Sequence, residues 1–270
     1  MRLAILADIH GNLPALEAVL ADLAGRAVDQ IVMAGDAINW GPFSAAVLET
    51  LSRSGSVPLR GNHEYFLLDY GTARSPEWGR GAPSLAWLAR QLEPGWRRRL
   101  AAWPDTLSLR YPEAPPVRVL HGLPGNPFDG IFPWTADDEI RRYLSGIEEE
   151  LVIAAHTHIA LDRRVGNRRI LNPGSVGLPL DGVLDARYLL LDAIDGAWQP
   201  TFRRVAYDSS PLFAEFERQG FVAECGAVGY LIVEEFRRAR PVFRDFLKWH
   251  RAHCPGEPMT LALAERFLAL

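Results

Sequence analysis

The chain has 270 residues, 48% of them hydrophobic, 10% aromatic and 23% charged, which excludes a disordered, collagen-like or disulfide-scaffold protein and allows one large globular domain or two small ones. A formal net charge of -4 argues against a broad basic surface that grips duplex nucleic acid. No apolar run reaches the roughly 18 residues of a membrane span, and Cys225 and Cys254, in no metal-like spacing, read as free thiols of a cytoplasmic protein.

In chain order, Leu3 to Ala7 is a short apolar run ending at Asp8, and Pro14 to Leu23 has helical spacing. The unit recurs as Ile31 to Ala34 before Gly35-Asp36, a helix over Ala45 to Leu51, and Val57 to Leu59 before Arg60-Gly61-Asn62-His63. Residues 71–116, rich in Trp, Pro and Arg, read as an insertion or cap with helices near Ser84 to Gln91 and Trp96 to Ala102. Val117 to Leu120 then ends at His121, and Leu151 to Ala155 ends at His156-Thr157-His158. Alternating strands and helices imply a parallel-leaning sheet with helices outside it. Arg168 to Leu171, Tyr188 to Asp192 and Trp198 to Val205, with an Asp195-Gly196 turn, read as a β-rich close. Beyond residue 205 the pattern turns helical, over Ser210 to Gln219 and about Val228 to His250, with Pro241 interrupting the second helix. The division is therefore a domain over 1–205 and a helical C-terminal extension over 206–270, packed on that domain or at a contact with a second copy.

Five of the seven histidines, His10, His63, His121, His156 and His158, fall at predicted strand ends beside Asp8, Asp36 and Asn62. In an open α/β sheet, distant segments bring their side chains together at the strand carboxyl ends. A spacing of two, as in Asp8/His10 and His156/His158, puts both members on one side of an extended chain. Carboxylate and amide oxygens mixed with imidazole suit Mn, Fe, Zn, Co or Ni better than Ca or Mg. Asp8, His10, Asp36, Asn62, His121, His156 and His158 are too many ligands for one tetrahedral ion, but suit two ions about 3.5–4 Å apart with one carboxylate bridging.

These blocks, Asp8-Ile-His10, Gly35-Asp36, Gly61-Asn62-His63-Glu64, His121-Gly122 and His156-Thr157-His158, occur in the order found in the calcineurin-like metallophosphoesterases, which the chain resembles over roughly residues 1–205. Asn172-Pro173-Gly174-Ser175 extends the resemblance to small bacterial members. The resemblance implies a four-layer α/β/β/α sandwich of mixed sheets with a dinuclear centre at one edge. It implies that Asp8, His10, Asp36 and His158 hold one metal, that Asp36, Asn62, His121 and His156 hold the other, and that His63 is a catalytic non-ligand. Two such ions neutralise phosphate charge and lower the pKa of a shared water, so that hydroxide attacks phosphorus in line. His63 would protonate the leaving alkoxide or stabilise its charge.

In the protein-phosphatase branch an Asp three residues past the bridging Asp orients the catalytic His and an Arg follows it. Here Asn39 and Trp40 stand in those places, Asn39 adding no charge, so a phosphoprotein is disfavoured as substrate. Ala155 replaces the usual Gly before the last histidine pair. The expectation is a phosphodiesterase acting on a small or nucleotide-like phosphoester, with Asn39 and Arg60 as substrate contacts. The alternatives are a phosphomonoesterase or a metal-binding scaffold of the same fold. Trp40, Trp78, Trp87, Trp96, Trp103 and Trp134 read mainly as core or cap packing, with stacking on a nucleobase the functional alternative.

Overall fold

The computed structural model describes residues 1–270. The first half contains β1 (Arg2–Leu6), α1 (Leu13–Ala24), β2 (Gln30–Ala34), α2 (Ser44–Arg53), β3 (Val57–Leu59), α3 (Asn62–Asp69), α4 (Pro83–Gln91), α5 (Pro94–Ala102), β4 (Thr106–Tyr111) and β5 (Ala114–Leu120). It continues through α6 (Asp137–Tyr143), β6 (Leu151–Ala154), β7 (Leu161–Val165), β8 (Arg168–Asn172), β9 (Ala186–Ile194) and β10 (Ala197–Val205). Four helices follow, α7 (Ser210–Arg218), α8 (Phe221–Arg238), α9 (Val242–His253) and α10 (Leu261–Leu268). No helix is long and apolar enough to cross a membrane.

The strands form two five-stranded mixed sheets, ordered β10-β9-β1-β2-β3 and β4-β5-β6-β8-β7. In the first, β1, β2 and β3 run parallel while β9 and β10 run antiparallel to their neighbours. In the second, β5, β6 and β8 are parallel and the edge strands β4 and β7 are antiparallel.

Alternation along single strands builds the layers, because successive side chains leave opposite faces of a sheet. Leu3, Ile5 and Ala7 join Val117, Val119, Leu151 and Ile153 in the core between the two sheets. Ala4 and Leu6 face the other way, onto Leu16 and Val19 of α1 and Val47 and Leu48 of α2. Val152 and Ala154 likewise turn outward onto Ile140 of α6. The four layers are thus helices, sheet, sheet and helix. Helix α1 starts where Asn12 Oδ1 accepts the Ala15 N–H at 3.2 Å, and its Ala15, Leu16, Val19 and Leu23 form the buried stripe.

The structure contains elements that periodicity passed over. Residues 71–116 do not form a single cap: after α4 and α5, Thr106–Tyr111 is an edge strand of the second sheet. Its alternation is visible once Leu107 and Leu109 are seen packing on the inter-sheet core. Strand β7, α3, α6 and α10 were also not expected; α6 has seven residues, fewer than periodicity needs to stand out. Helix α8 begins at Phe221, upstream of the expected start, and bends at Gly226, whose φ of 58° and ψ of -137° suit glycine alone.

Trp87, Phe216, Phe221 and Phe236 fix α7 and α8 onto α4 through one buried cluster. Leu231, Phe246 and Ala264 join α8, α9 and α10 in another. The C-terminal helices therefore have a core of their own and a wall in common with α4.

Candidate metal centre

The carboxyl ends of β1, β2, β3, β5 and β6 open onto one edge of the sandwich, and each delivers a polar side chain there. The loops that carry them are held in backbone conformations that side chains usually avoid. Ten non-glycine residues have positive φ, and seven of these are Asp8, His10, Asp36, Asn39, Trp40, His156 and His158. Each such residue costs on the order of 1–3 kcal/mol and persists where its surroundings over-determine it. The spacing-of-two argument assumed extended chain, whereas left-handed turns at Asp8 (54°) and His10 (49°) bring these side chains inward and bury Ile9 in the helix-side core.

Backbone bonds tie these loops together: Asp8 N–H donates to Gly35 O, and His10 N–H to Asp36 O, both at 3.0 Å. Ser175 Oγ donates to Asp8 O at 2.7 Å and accepts from Leu178 N–H at 2.7 Å. Asn172 Nδ2 donates to Ala155 O at 2.8 Å and Thr157 Oγ1 at 3.0 Å, so the 172–175 stretch braces both the Asp8 loop and the 156–158 loop. Glu64, one residue past His63, accepts N–H bonds from Asp36 (2.9 Å), Ala37 (2.9 Å) and Gly61 (2.7 Å). Residue 61 has no room for a side chain, since a Cβ there would lie 2.2 Å from Asp36 Oδ1.

The candidate ligand atoms fall into three overlapping groups, each with its atoms within 4.8 Å of one another: Asp8, His10 and His158; His10, Asp36 and His63; and Asp36, His121 and His156. His10 Nε2 lies 3.2 Å from His158 Nε2 and 3.7 Å from Asp36 Oδ2, while His121 Nε2 lies 3.2 Å from that same oxygen. Asn62 Oδ1 is 2.9 Å from His121 Nε2 and 3.0 Å from His156 Nδ1. Two outer contacts aim the rings. His121 Nδ1 meets Ala34 O at 2.9 Å and His158 Nδ1 meets Leu178 O at 2.6 Å. Nδ1–H donation to these carbonyls leaves each Nε2 lone pair facing the centre.

Burial sharpens the electrostatics. Asp8 is fully buried and neither of its oxygens has a hydrogen-bond partner, a costly arrangement that a cation relieves. Its carboxyl is pushed well above the usual range by burial, with neighbouring Asp36 adding to the effect and His121 opposing it. Burial pushes His156 down to about 3 and His158 down to about 4, so both are neutral imidazoles near pH 7. Burial also opposes the charged form of His121, but the Asp36 and Asp8 carboxylates outweigh it and push His121 up to about 9. Neutral imidazoles at His156 and His158 beside the buried, unpartnered Asp8 carboxyl are the chemistry a divalent ion requires, and the donor set fits one, with protons displaced from His121 and Asp8 on binding.

His63 sits at the first turn of α3 with Nε2 3.9 Å from Asp36 Oδ2. Its ring is wedged edge-on between His10 (4.5 Å), Trp40 (4.9 Å) and Phe66 (5.3 Å), and Nδ1 has no partner. Asn39 does not orient it, because Asn39 Oδ1 accepts its neighbour's Trp40 N–H at 2.8 Å. Asn39 nevertheless lines the cavity beside the centre. Arg60 is placed differently from expectation. Its guanidinium donates to Asp105 Oδ1 at 2.8 Å and Ala101 O at 3.1 Å and lies over the Tyr65 ring, so its donors point away from that cavity. Glu64 carried no separate role in the sequence reading; its position as the third residue after Gly61, where a capping carboxylate reaches back, was the available signal.

The calcineurin-like phosphoesterase model matches residues 1–160. An uncharacterized protein of Methanocaldococcus jannaschii is 28% identical over 227 residues, covering 76% of this chain and 88% of that protein. A metallophosphoesterase from Sphaerobacter thermophilus superposes with a TM-score of 0.72 at 26% identity, over 88% of this chain and 99% of that one. A hypothetical protein from Pyrococcus horikoshii OT3 shares the fold with a TM-score of 0.69 at 22% identity, over 81% of this chain and 93% of that one.

Proposed function

The chain belongs to the calcineurin-like phosphoesterase family, and on that premise we propose that it is a dinuclear metal-dependent phosphodiesterase acting on a small or nucleotide-like phosphoester in the cytoplasm. The observation that supports this reading is the convergence of Asp8, His10, Asp36, His121, His156 and His158 in overlapping groups at one edge, with Asp8 buried and unpartnered among them.

In this reading Asp8, His10, Asp36 and His158 hold one ion and Asp36, Asn62, His121 and His156 hold the other. Mn, Fe, Ni or Zn suits these donors. Two such ions supply charge neutralisation at the phosphoryl oxygens and acidify a coordinated water. The chain's own residues do the rest. Asp36, fixed by Glu64, sets the spacing of the two halves. His63, outside both halves and held by aromatic edges, is placed to give a proton to the leaving oxygen from Nε2. Burial lowers its proton affinity, and the nearby Asp36 carboxylate opposes that by favouring the charged form. Asn39, on the cavity wall, retains amide N–H groups to offer the ester.

The test strips the protein with chelator, adds Mn, Ni, Zn, Fe or Mg back singly, and compares bis-p-nitrophenyl phosphate with p-nitrophenyl phosphate. Turnover restored by a transition metal, with the diester preferred, is the expected result. Monoester preference would reassign the enzyme as a phosphomonoesterase, and silence with every metal in a folded, metal-loaded protein would point to the scaffold reading.

A further inference from the structure

A cavity of about 640 Å³ opens directly from His63, His156 and His158, a size that buries most of a ligand larger than phosphate itself. Its far wall comes from α8, α9 and the segment that joins α9 to α10: Val228 and Ile232 of α8, Leu247 of α9, and Met259. These residues lie beyond the 1–160 stretch that the family model matches.

The near rim is aromatic. Phe66 packs on His63 at 5.3 Å and carries Trp78 edge-on at 4.9 Å, and Trp78 is 60% exposed. Across the cavity Trp40 meets Phe243 at 6.3 Å. Charge on the wall is sparse and unsuited to further phosphates. Arg244 is its one arginine, and no lysine lines it. Arg244 Nε is 3.5 Å from Asp245, and its side chain is half exposed. Glu235, 3% exposed, presents a carboxyl on the same wall, with Oε2 accepting Phe243 N–H at 2.7 Å.

Resting on the phosphoesterase reading, we infer that this cavity receives the substrate's ester group and selects a single phosphoryl group carrying a large, uncharged, flat apolar substituent. A polyphosphate chain would meet Glu235 and only one half-paired arginine. An aromatic substituent would stack on Phe66 and Trp78 and bury its far end among Val228, Ile232 and Leu247, where apolar area leaving water supplies affinity.

The experiment uses binding rather than turnover. Methylphosphonate and 2-naphthylphosphonate, which lack a cleavable ester oxygen, are titrated calorimetrically into the full-length Mn-loaded protein. 2-Naphthol and thymidine are titrated into the chelator-stripped protein. The expected result is at least tenfold tighter binding of the naphthyl compound in each pair, with both preferences lost in Val228→Glu, which puts a charge on a partly exposed wall position. Met259→Glu, at an exposed position of the same wall, serves if the first variant does not fold. Equal affinity for the two phosphonates, thymidine bound as well as 2-naphthol, or preferences unchanged in the folded variant would overturn the inference. If the protein takes up no metal, the phosphoesterase reading fails by itself, and the 2-naphthol arm still decides what the cavity holds.

Discussion

The carboxylate of Glu64 accepts the backbone N–H of Asp36 at 2.9 Å and, through its other oxygen, that of Ala37 at 2.9 Å. It also accepts from Gly61 N–H at 2.7 Å, so one fully buried side chain joins the turn after β2 to the turn after β3. That clamp fixes the backbone from which Asp36 reaches both ligand groups. Replacing Glu64 by Ala leaves buried N–H donors without acceptors, each costing about 1–3 kcal/mol. The expected outcome is a drop of about 2–4 kcal/mol in urea-unfolding stability together with lower metal content. Unchanged stability with full metal loading would show that the clamp is dispensable.

Asp36 itself lies 3.2 Å from His121 Nε2 and 3.7 Å from His10 Nε2 through one oxygen, Oδ2. A neutral amide at this position removes the charge that both halves need. Asp36→Asn is therefore expected to reduce metal content at both sites, read as ions per chain after dialysis against Mn. Loss of one ion with the other held at wild-type affinity would limit Asp36 to a single site.

His63 stands outside both proposed ligand sets, yet it groups with His10 and Asp36, and its Nε2 is 3.9 Å from Asp36 Oδ2. His63→Ala should leave about two ions per chain in the metal assay and lower turnover of an alkyl phosphoester by about 10²–10⁴-fold. The effect should shrink with p-nitrophenyl esters, whose acidic leaving group needs no proton. Loss of metal in this variant would move His63 into the ligand set.

The convergence of these candidate ligands was legible because each member follows an apolar strand and sheet topology leaves few places for strand ends to meet. Asp8, His10, Asp36, Asn62, His121, His156 and His158 are all found at that edge. Arg60 shows the limit of adjacency. It precedes Gly61 in sequence, yet one residue past β3 its guanidinium is bound to Asp105 and does not line the cavity. Trp40 and Trp78 were read mainly as packing, but both line the cavity, because stacking on a site and stacking in a core use the same residue type. The wall formed by Val228, Ile232 and Leu247 could not be read at all. It depends on how α8 turns at Gly226 and where α9 restarts after Pro241, and both are set by tertiary packing rather than by periodicity.

Glu235 gives a pH dependence independent of the metal ligands. Burial among α8, α9 and the cavity wall is the main cause that pushes its carboxyl up to about 7, with nearby Asp245 adding to it and the Phe243 N–H and Arg244 opposing. A carboxyl raised on folding binds its proton more tightly in the native state than in the unfolded one, where it titrates near 4.5. Its contribution to stability is therefore full below that unfolded value and is lost as pH rises toward about 7, staying absent above it. A shift of this size corresponds to about 3–4 kcal/mol. Glu235→Gln keeps an oxygen for Phe243 N–H and carries no charge at any pH, so it should be more stable than wild type at pH 8.5 by about that amount and show little of the advantage at pH 4.5. Urea unfolding of both proteins at the two pH values measures the difference, and subtracting one protein from the other cancels the titration of shared groups. A stability difference that is the same at both pH values would mean that Glu235 ionises in the folded protein as freely as in the unfolded chain.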